Sequence, residues 1–454
     1  MSDTATSKAQ TILTIVAASV LLLLLMAAGA FWRLHQRTRK AGDELVAEAR
    51  ALMAIRVVRP AHTDAPTPGP LSQTLGPLMP ELLLLQKAEP RLEEPVNEQC
   101  QDVRDGKRPL AELPEACREA LERGRPLMQR TLRATRTEEG GLPEGFEALG
   151  DPNLPHQMKG ILALQHFLKL TAFEMRFQLE DGQADTALEH CLDGLALSRD
   201  LGHGSGLIGA MASATGYTIL FRPCADALQH ASPAGLKQAT VALRRIREGL
   251  SPLSSAMRAE RVYGPLDAFG HLLDQEQLDA LPAGARAIAK QGSAYQGGDV
   301  PIFAPVLMRH ALIEFMRYQE KAMPFVDRPI AERNAWFDGM ERELEQSWNP
   351  IFKMGGVPDF SRLTARVDRQ RAQADLLLAL ALVKAHRAES GSWPAALPAL
   401  YPEREVLLPT VLTLQPGETG TLVVVPEEAH LQQLSAVMDP DVARLQELMV
   451  TATP

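Results

Sequence analysis

The chain has 454 residues, 45% hydrophobic, 5% aromatic and 23% charged, with a net charge of -9. That length allows two or three domains and a sizeable core, which excludes a globally disordered chain. The acidic balance excludes a dedicated nucleic-acid binder, and few aromatics beside abundant Leu and Ala favour helices over sheets.

Ala9 to Trp32 contains no charged residue and centres on Val20-Leu21-Leu22-Leu23-Leu24-Leu25-Met26. About 20 apolar residues suffice to cross the hydrocarbon core, and Phe31 and Trp32 close the run where aromatic rings favour the headgroup level. The run has three readings. It is an uncleaved anchor, or a signal peptide cut at Ala28-Gly29-Ala30, or a buried core helix. The side of the membrane is contested as well. Lys8 precedes the span whereas Arg33, Arg37, Arg39 and Lys40 follow it, which by the positive-inside rule keeps the body cytoplasmic. The four cysteines, Cys100, Cys117, Cys191 and Cys224, fall into two sequence-local pairs. An even number suits disulfides in an oxidising compartment, and Cys100 with Cys117 is the expected bridge. The balance tips toward a bacterial inner-membrane anchor with an exported body.

Ala41 to Val58 keeps helical spacing, so residues 1–58 read as a membrane anchor and helical rod. Residues 59–80 read as a Pro-rich linker, because 60–80 holds six prolines and two glycines. A helical body follows over 81–390. Helices are expected over 114–136, from near Pro155 to Leu179, and over 185–201. The small-residue stretch Leu207 to Phe221, closed by Pro223, is expected to be the most buried. Further helices are expected over 232–249, 251–273, 302–323, 329–347 and 361–390. Residues 391–454 read as a small α+β subdomain, with a β-hairpin over Val406 to Val425 and short helices near 427–436 and 440–450. The fold class is mainly α: an N-terminal transmembrane helix, an irregular α-hairpin bundle and a small C-terminal β-hairpin.

Two stretches resemble known families. The helix pair around Gly182-Gln183-Ala184-Asp185-Thr186-Ala187-Leu188 resembles one tetratricopeptide-like hairpin, without recurrence at a 34-residue period. Gly391-Ser392-Trp393-Pro394, with spaced leucines after it, resembles the segment following the long helix of type II secretion pseudopilins. It also resembles uncharacterised, membrane-anchored helical bacterial proteins, whose middles are similar to residues 158–275. The pseudopilin processing site and its acidic residue are missing from Thr11-Ile12-Leu13-Thr14-Ile15. The resemblance implies a packing motif and carries no activity. Trp393 is expected to pack with Leu397 on the helix before it.

Chemistry-bearing residues are sparse. No phosphate loop, dinucleotide fingerprint, nucleophile elbow or Cys-x-x-Cys occurs, and no cofactor or metal is implied. His310 and Glu314, four apart, read as a helix-surface pair. His166, His190 and His203 come from adjacent elements and read as surface or satisfied core residues. The acidic, glycine-rich stretch 138–150 reads as a surface loop. Arg258, Glu260 and Arg261, a carboxylate flanked by arginines, read as a structural ion pair and as the first choice for a site if a pocket adjoins them. The expectation is therefore a non-catalytic, membrane-anchored helical scaffold or protein-interaction module of the envelope, with protein partners. The alternatives are an enzyme whose site is assembled from distant helices, around Glu260, or a pseudopilin-like assembly component.

Overall fold

The computed structural model describes residues 3–88, 94–142, 160–291, 303–349, 360–402, 406–417, 420–435 and 448–453. Its first element, α1, is a helix of 51 residues over Asp3–Met53. At 1.5 Å per residue that is a rod of about 75 Å. The two halves of the rod meet different surroundings. Leu21 is 59% and Leu24 62% exposed, so the apolar half stands clear of the body among the described residues. It is long and apolar enough to cross a membrane, by length and composition. Past Trp32 the pattern becomes amphipathic, and Ala41, Leu45, Val46 and Ala49 are buried. They pack with Val262, Leu266, Leu281 and Ile288 in one cluster and with Leu312 and Met316 in another. The second half of the rod is therefore a helix of the body.

The stretch expected to be a linker, 59–80, is folded instead. β1 (Thr67–Pro70) pairs in parallel with β2 (Thr137–Glu139). α2 (Leu71–Leu75) and a short 3-10 turn lead into α3 (Met79–Ala88), and Leu71 and Leu75 are fully buried. The prolines fit because they occupy helix starts and a two-stranded edge, where a missing N–H costs little. α4 (Glu94–Arg104) and α5 (Glu115–Ala134) follow, joined by the Cys100–Cys117 disulfide.

The main core is built by two helical hairpins. α6 (Gly160–Glu180) and α7 (Ala184–Leu201) form the first, α8 (Gly206–His230) and α9 (Pro233–Glu248) the second. α8 runs through Pro223, contrary to the sequence expectation. Leu220, Phe221, Cys224 and Leu228 on both sides of the proline are buried, and Cys224 is bonded to Cys191 of α7. That packing outweighs one lost backbone hydrogen bond. Small residues in α8 permit close approach: a Cβ on Gly216 would land on Ser198 Oγ and 2.5 Å from Leu168 Cδ1.

α10 (Leu253–Phe269), α11 (Gln275–Ala280), α12 (Ala283–Gln291), α13 (Ala304–Ala322) and α14 (Ile330–Glu345) build the part that receives α1. α15 (Phe360–Ser390) crosses α8 and α9 with Leu376, Leu377, Leu380 and Val383 fully buried. At its end Gly391 takes φ +75 and donates to Arg387 O at 2.8 Å, the left-handed cap expected there. β3 (Leu412–Pro416) and β4 (Leu422–Pro426) form the hairpin, and α16 (Glu428–Ser435) follows. The end of the chain adds β5 (Val450–Ala452) antiparallel to β4, where a helix was expected over 440–450. β5 overlaps that expected helix only at Val450; residues 440–447 of the expectation lie outside the described residues. Val424, Val450 and Ala452 join the main core, so the sheet is packed onto the body.

Trp393 and Leu397 are partly buried against that core. The Arg387 guanidinium lies 4.1 Å from the Trp393 ring centroid, and the indole N–H donates to Gly420 O at 2.8 Å. The indole thus bridges helix and hairpin.

Candidate functional site

Arg258, Glu260 and Arg261 lie on one turn of α10 and point in three different directions. Glu260 Oε2 accepts from Leu207 N at 3.1 Å, so it caps the start of α8, where Gly206 has φ +65. An acid at a helix N-terminus meets unpaired N–H groups and the positive end of the dipole. Arg261 pairs with Glu48 of α1 at 3.0 Å. Burial pushes the Glu48 carboxyl up despite Arg261, and Glu44 and Glu320 add to the rise. Only Arg258 faces open space; it is exposed and makes no ion pair among the described residues.

Arg258 lines a cleft of about 350 Å³ at the far end of α1. Leu52, Ile55, Val57 and Leu142 give it apolar walls, and Ser205, Ser255 and His203 add polar atoms. His203 Nε2 donates to Gly249 O at 2.8 Å. Burial pulls its pKa down, against the nearby Asp200, so the ring is neutral at pH 7 and Nδ1 is left as an acceptor. An arginine and a neutral imidazole on apolar walls suit a small molecule with an apolar body and an acidic end.

The remaining sequence candidates stay apart. His190 Nδ1 bonds Thr186 O within its own helix at 3.0 Å, and His166 lies edge-on to Phe167. His310 and Glu314 form the helix-surface pair at 3.1 Å, and Trp348 covers the imidazole at 4.6 Å between ring centroids. Among the described residues no cluster of three or more His, Cys, Asp or Glu is arranged to hold a metal. Of the acidic stretch 138–150, Glu139 is in β2 and pairs with Arg56; residues 143–150 lie outside the described residues.

Comparison with family models, curated proteins and solved structures finds no match.

A buried cluster of charges lies away from the residues that sequence reasoning picked out. Asp193 and Asp200 are seven residues apart, two turns along one face of α7. Asp200 is sandwiched between two fully buried arginines. Arg59 Nε and Nη2 donate to it at 2.9 and 2.8 Å, and Arg199 Nε donates at 2.9 Å. Burial alone would raise the Asp200 carboxyl, but Arg199 and Arg59 outweigh it and hold it at about 2. Arg59 also reaches Thr137 O at 2.6 Å, and Arg199 Nη1 reaches Pro60 O at 3.0 Å. At Asp193, His62 Nε2 donates at 2.9 Å and Arg136 adds a fork at 2.9 and 2.7 Å. Burial depresses His62 in spite of that aspartate. Together these bonds fasten the chain leaving α1 to the first hairpin.

A second knot holds the C-terminal segment. Arg247 Nε donates to Asp375 at 2.8 Å and Nη2 to Leu407 O and Leu408 O at 3.1 and 3.0 Å. Tyr401 Oη and Thr410 N also donate to Asp375, at 2.5 and 2.8 Å. Each buried charge is thus paired and hydrogen-bonded, the condition under which burial is tolerated. The sequence signal for these residues was slight: charges at 199 and 200 ending an apolar helix, and one arginine at the head of a proline-rich run.

Proposed function

We propose that this protein is a membrane-anchored helical scaffold, a non-catalytic protein-interaction module of the bacterial envelope whose body is exported. The observation that carries the reading is the continuity of α1. It passes without interruption through Ala28-Gly29-Ala30, and its second half is buried in two clusters of the body. An anchor of this kind holds the body at a fixed posture above the bilayer, where a flexible tether would let it roam. Export is supported by the two disulfides, which persist in oxidising compartments. The basic residues after the span pull the other way: Arg39 is engaged with Asp274 and Glu276, and Lys40 with Glu44, while Arg33 and Arg37 make no ion pair among the described residues. A scaffold role is supported by the use made of the sequence's best catalytic candidates: Glu260 caps a helix and Arg261 fastens α1.

Crosslinking of the full-length chain in intact cells, followed by purification from membranes, tests the reading. One envelope protein recovered in near-equal amount supports it. Recovery of the chain alone would leave it without its central activity. The cleft beside Arg258 and His203 favours a second reading, a site for a small acidic ligand. Loss of ligand-induced stabilisation in Arg258→Ala, with the same partner still captured, would separate that site from the scaffold role.

A further inference from the structure

The membrane-proximal end of the body carries two large aromatic side chains in the open. Phe303 is 71% and Trp348 63% exposed. Phe303 is the N-cap of α13, and Trp348 lies against His310 in the second turn of that helix. Asn349 Nδ2 donates to Leu307 O at 2.8 Å, which holds the Trp348 segment on the same turns.

α13 runs parallel to α1. Arg309 Nη1 donates to His35 Nδ1 at 3.2 Å, and farther along Ala41 packs with Leu312 and Met316. Both helices therefore climb away from the apolar half of α1 in step. His35 stands three residues, about 4.5 Å, beyond Trp32, the last residue of the apolar run. Phe303 is six residues back from Arg309, about 9 Å toward the membrane. That places it level with Gly29, inside the boundary that Trp32 marks. Trp348, whose ring lies tilted against His310, stands about 6 Å on the aqueous side of that boundary, within the headgroup layer.

We propose that Phe303 and Trp348 enter the phospholipid interface of the same bilayer that α1 spans, giving the body a second membrane contact. The inference rests on the reading of α1 as an uncleaved anchor. Aromatic rings favour this layer, and the Trp32 ring, 62% exposed, occupies it from the anchor itself. Arg33, Arg37 and Arg309 stand just above, where anionic headgroups neutralise them; Arg33 and Arg37 make no ion pair among the described residues. The acidic Glu314 at this end lies 3.1 Å from His310 Nδ1. With two lipid contacts, the body can neither spin about α1 nor tilt freely, and its remaining faces are presented in one orientation.

All four native cysteines are in disulfides, so an introduced thiol is the sole labelling site. Full-length Phe303→Cys, Trp348→Cys, Leu25→Cys and Val58→Cys are each labelled with a nitroxide in phospholipid nanodiscs. Collision with oxygen, which concentrates in lipid, is compared with collision with a water-soluble nickel chelate. Leu25→Cys reports the anchor, and Val58→Cys, at the far end of α1, reports water. The inference predicts a several-fold excess of oxygen over chelate collisions at 303, matching position 25, and an intermediate ratio at 348. Chelate access at 303 and 348 equal to that at 58, with position 25 still in lipid, overturns the inference, leaves the anchor standing and makes these aromatics a protein-docking edge. Chelate access at position 25 overturns the anchor and the inference together.

Discussion

Arg59→Met is the substitution that most sharply tests how α1 is locked to the body. Arg59 makes five hydrogen bonds: two to Asp200, one each to Thr135 O and Thr137 O, and one to Thr137 Oγ1. Methionine fills much of the same volume but leaves Asp200 with Arg199 alone. Removing one partner of a buried, hydrogen-bonded ion pair costs about 3–5 kcal/mol. The proton linkage gives a second estimate. Asp200 is held at about 2 against its ordinary 3.8. At about 1.4 kcal/mol per pKa unit, that depression contributes roughly 2–3 kcal/mol at neutral pH. Because the native pKa is the lower one, this stability is present above 3.8 and lost as pH falls toward 2. Arg59→Met should therefore lose about 3–5 kcal/mol in urea unfolding at pH 7 and move the acid-unfolding midpoint upward. Asp200→Asn should cost a similar amount, and the double variant less than the sum of the two. A loss below about 1 kcal/mol for Arg59→Met, with an unchanged acid midpoint, would refute the argument that this knot fastens the chain after α1.

Three further outcomes follow from the same structure. Breaking Cys191–Cys224, which spans 33 residues, should cost about 3.7 kcal/mol by loop entropy, and Cys100–Cys117, which spans 17, about 3 kcal/mol; paired alanine variants in urea measure both, and a larger loss from the shorter loop would point to strain or residual structure instead. His62 and His203 are both depressed by burial, so their contribution is full above their ordinary 6.5 and is lost as pH falls below it; urea midpoints at pH 7.5 and 5.5 should show the drop, and His62→Gln should reduce it. Trp393→Ala should cost about 2–3 kcal/mol, less than for a fully buried indole, because the side chain gives up one hydrogen bond, the Arg387 contact and partial burial; an unchanged melting temperature would show that the bridge to the hairpin contributes nothing.

The helices were legible because their signals are local. Ser232 before Pro233 caps α9 by accepting from Gly235 N, and Gly391 stops α15, as residue identity alone dictates. The three-stranded sheet was half legible: β3 and β4 alternate, whereas β5 is three residues whose pairing comes from position. The fate of residues 59–80 was not legible. Proline content reads as a tether, yet Arg59 and His62 find Asp200 and Asp193 more than a hundred residues on, and no local pattern encodes such a partner. The same limit applied to Arg258, Glu260 and Arg261, whose spacing announces a charged turn but not the three directions in which it is used. Rod and body were separable by composition only, since the heptad of α1 that enters the core differs little from a solvated helix until Val262 and Leu312 are seen against it.

On the proposed reading, α1 is an uncleaved anchor carrying an exported body. Protease added to intact spheroplasts, followed by carbonate washing of the membranes, tests it directly. The body should be digested from outside while a fragment carrying Ala9 to Trp32 stays in the washed membrane. A body protected from the protease, or one released whole and beginning after Ala30, would contradict it.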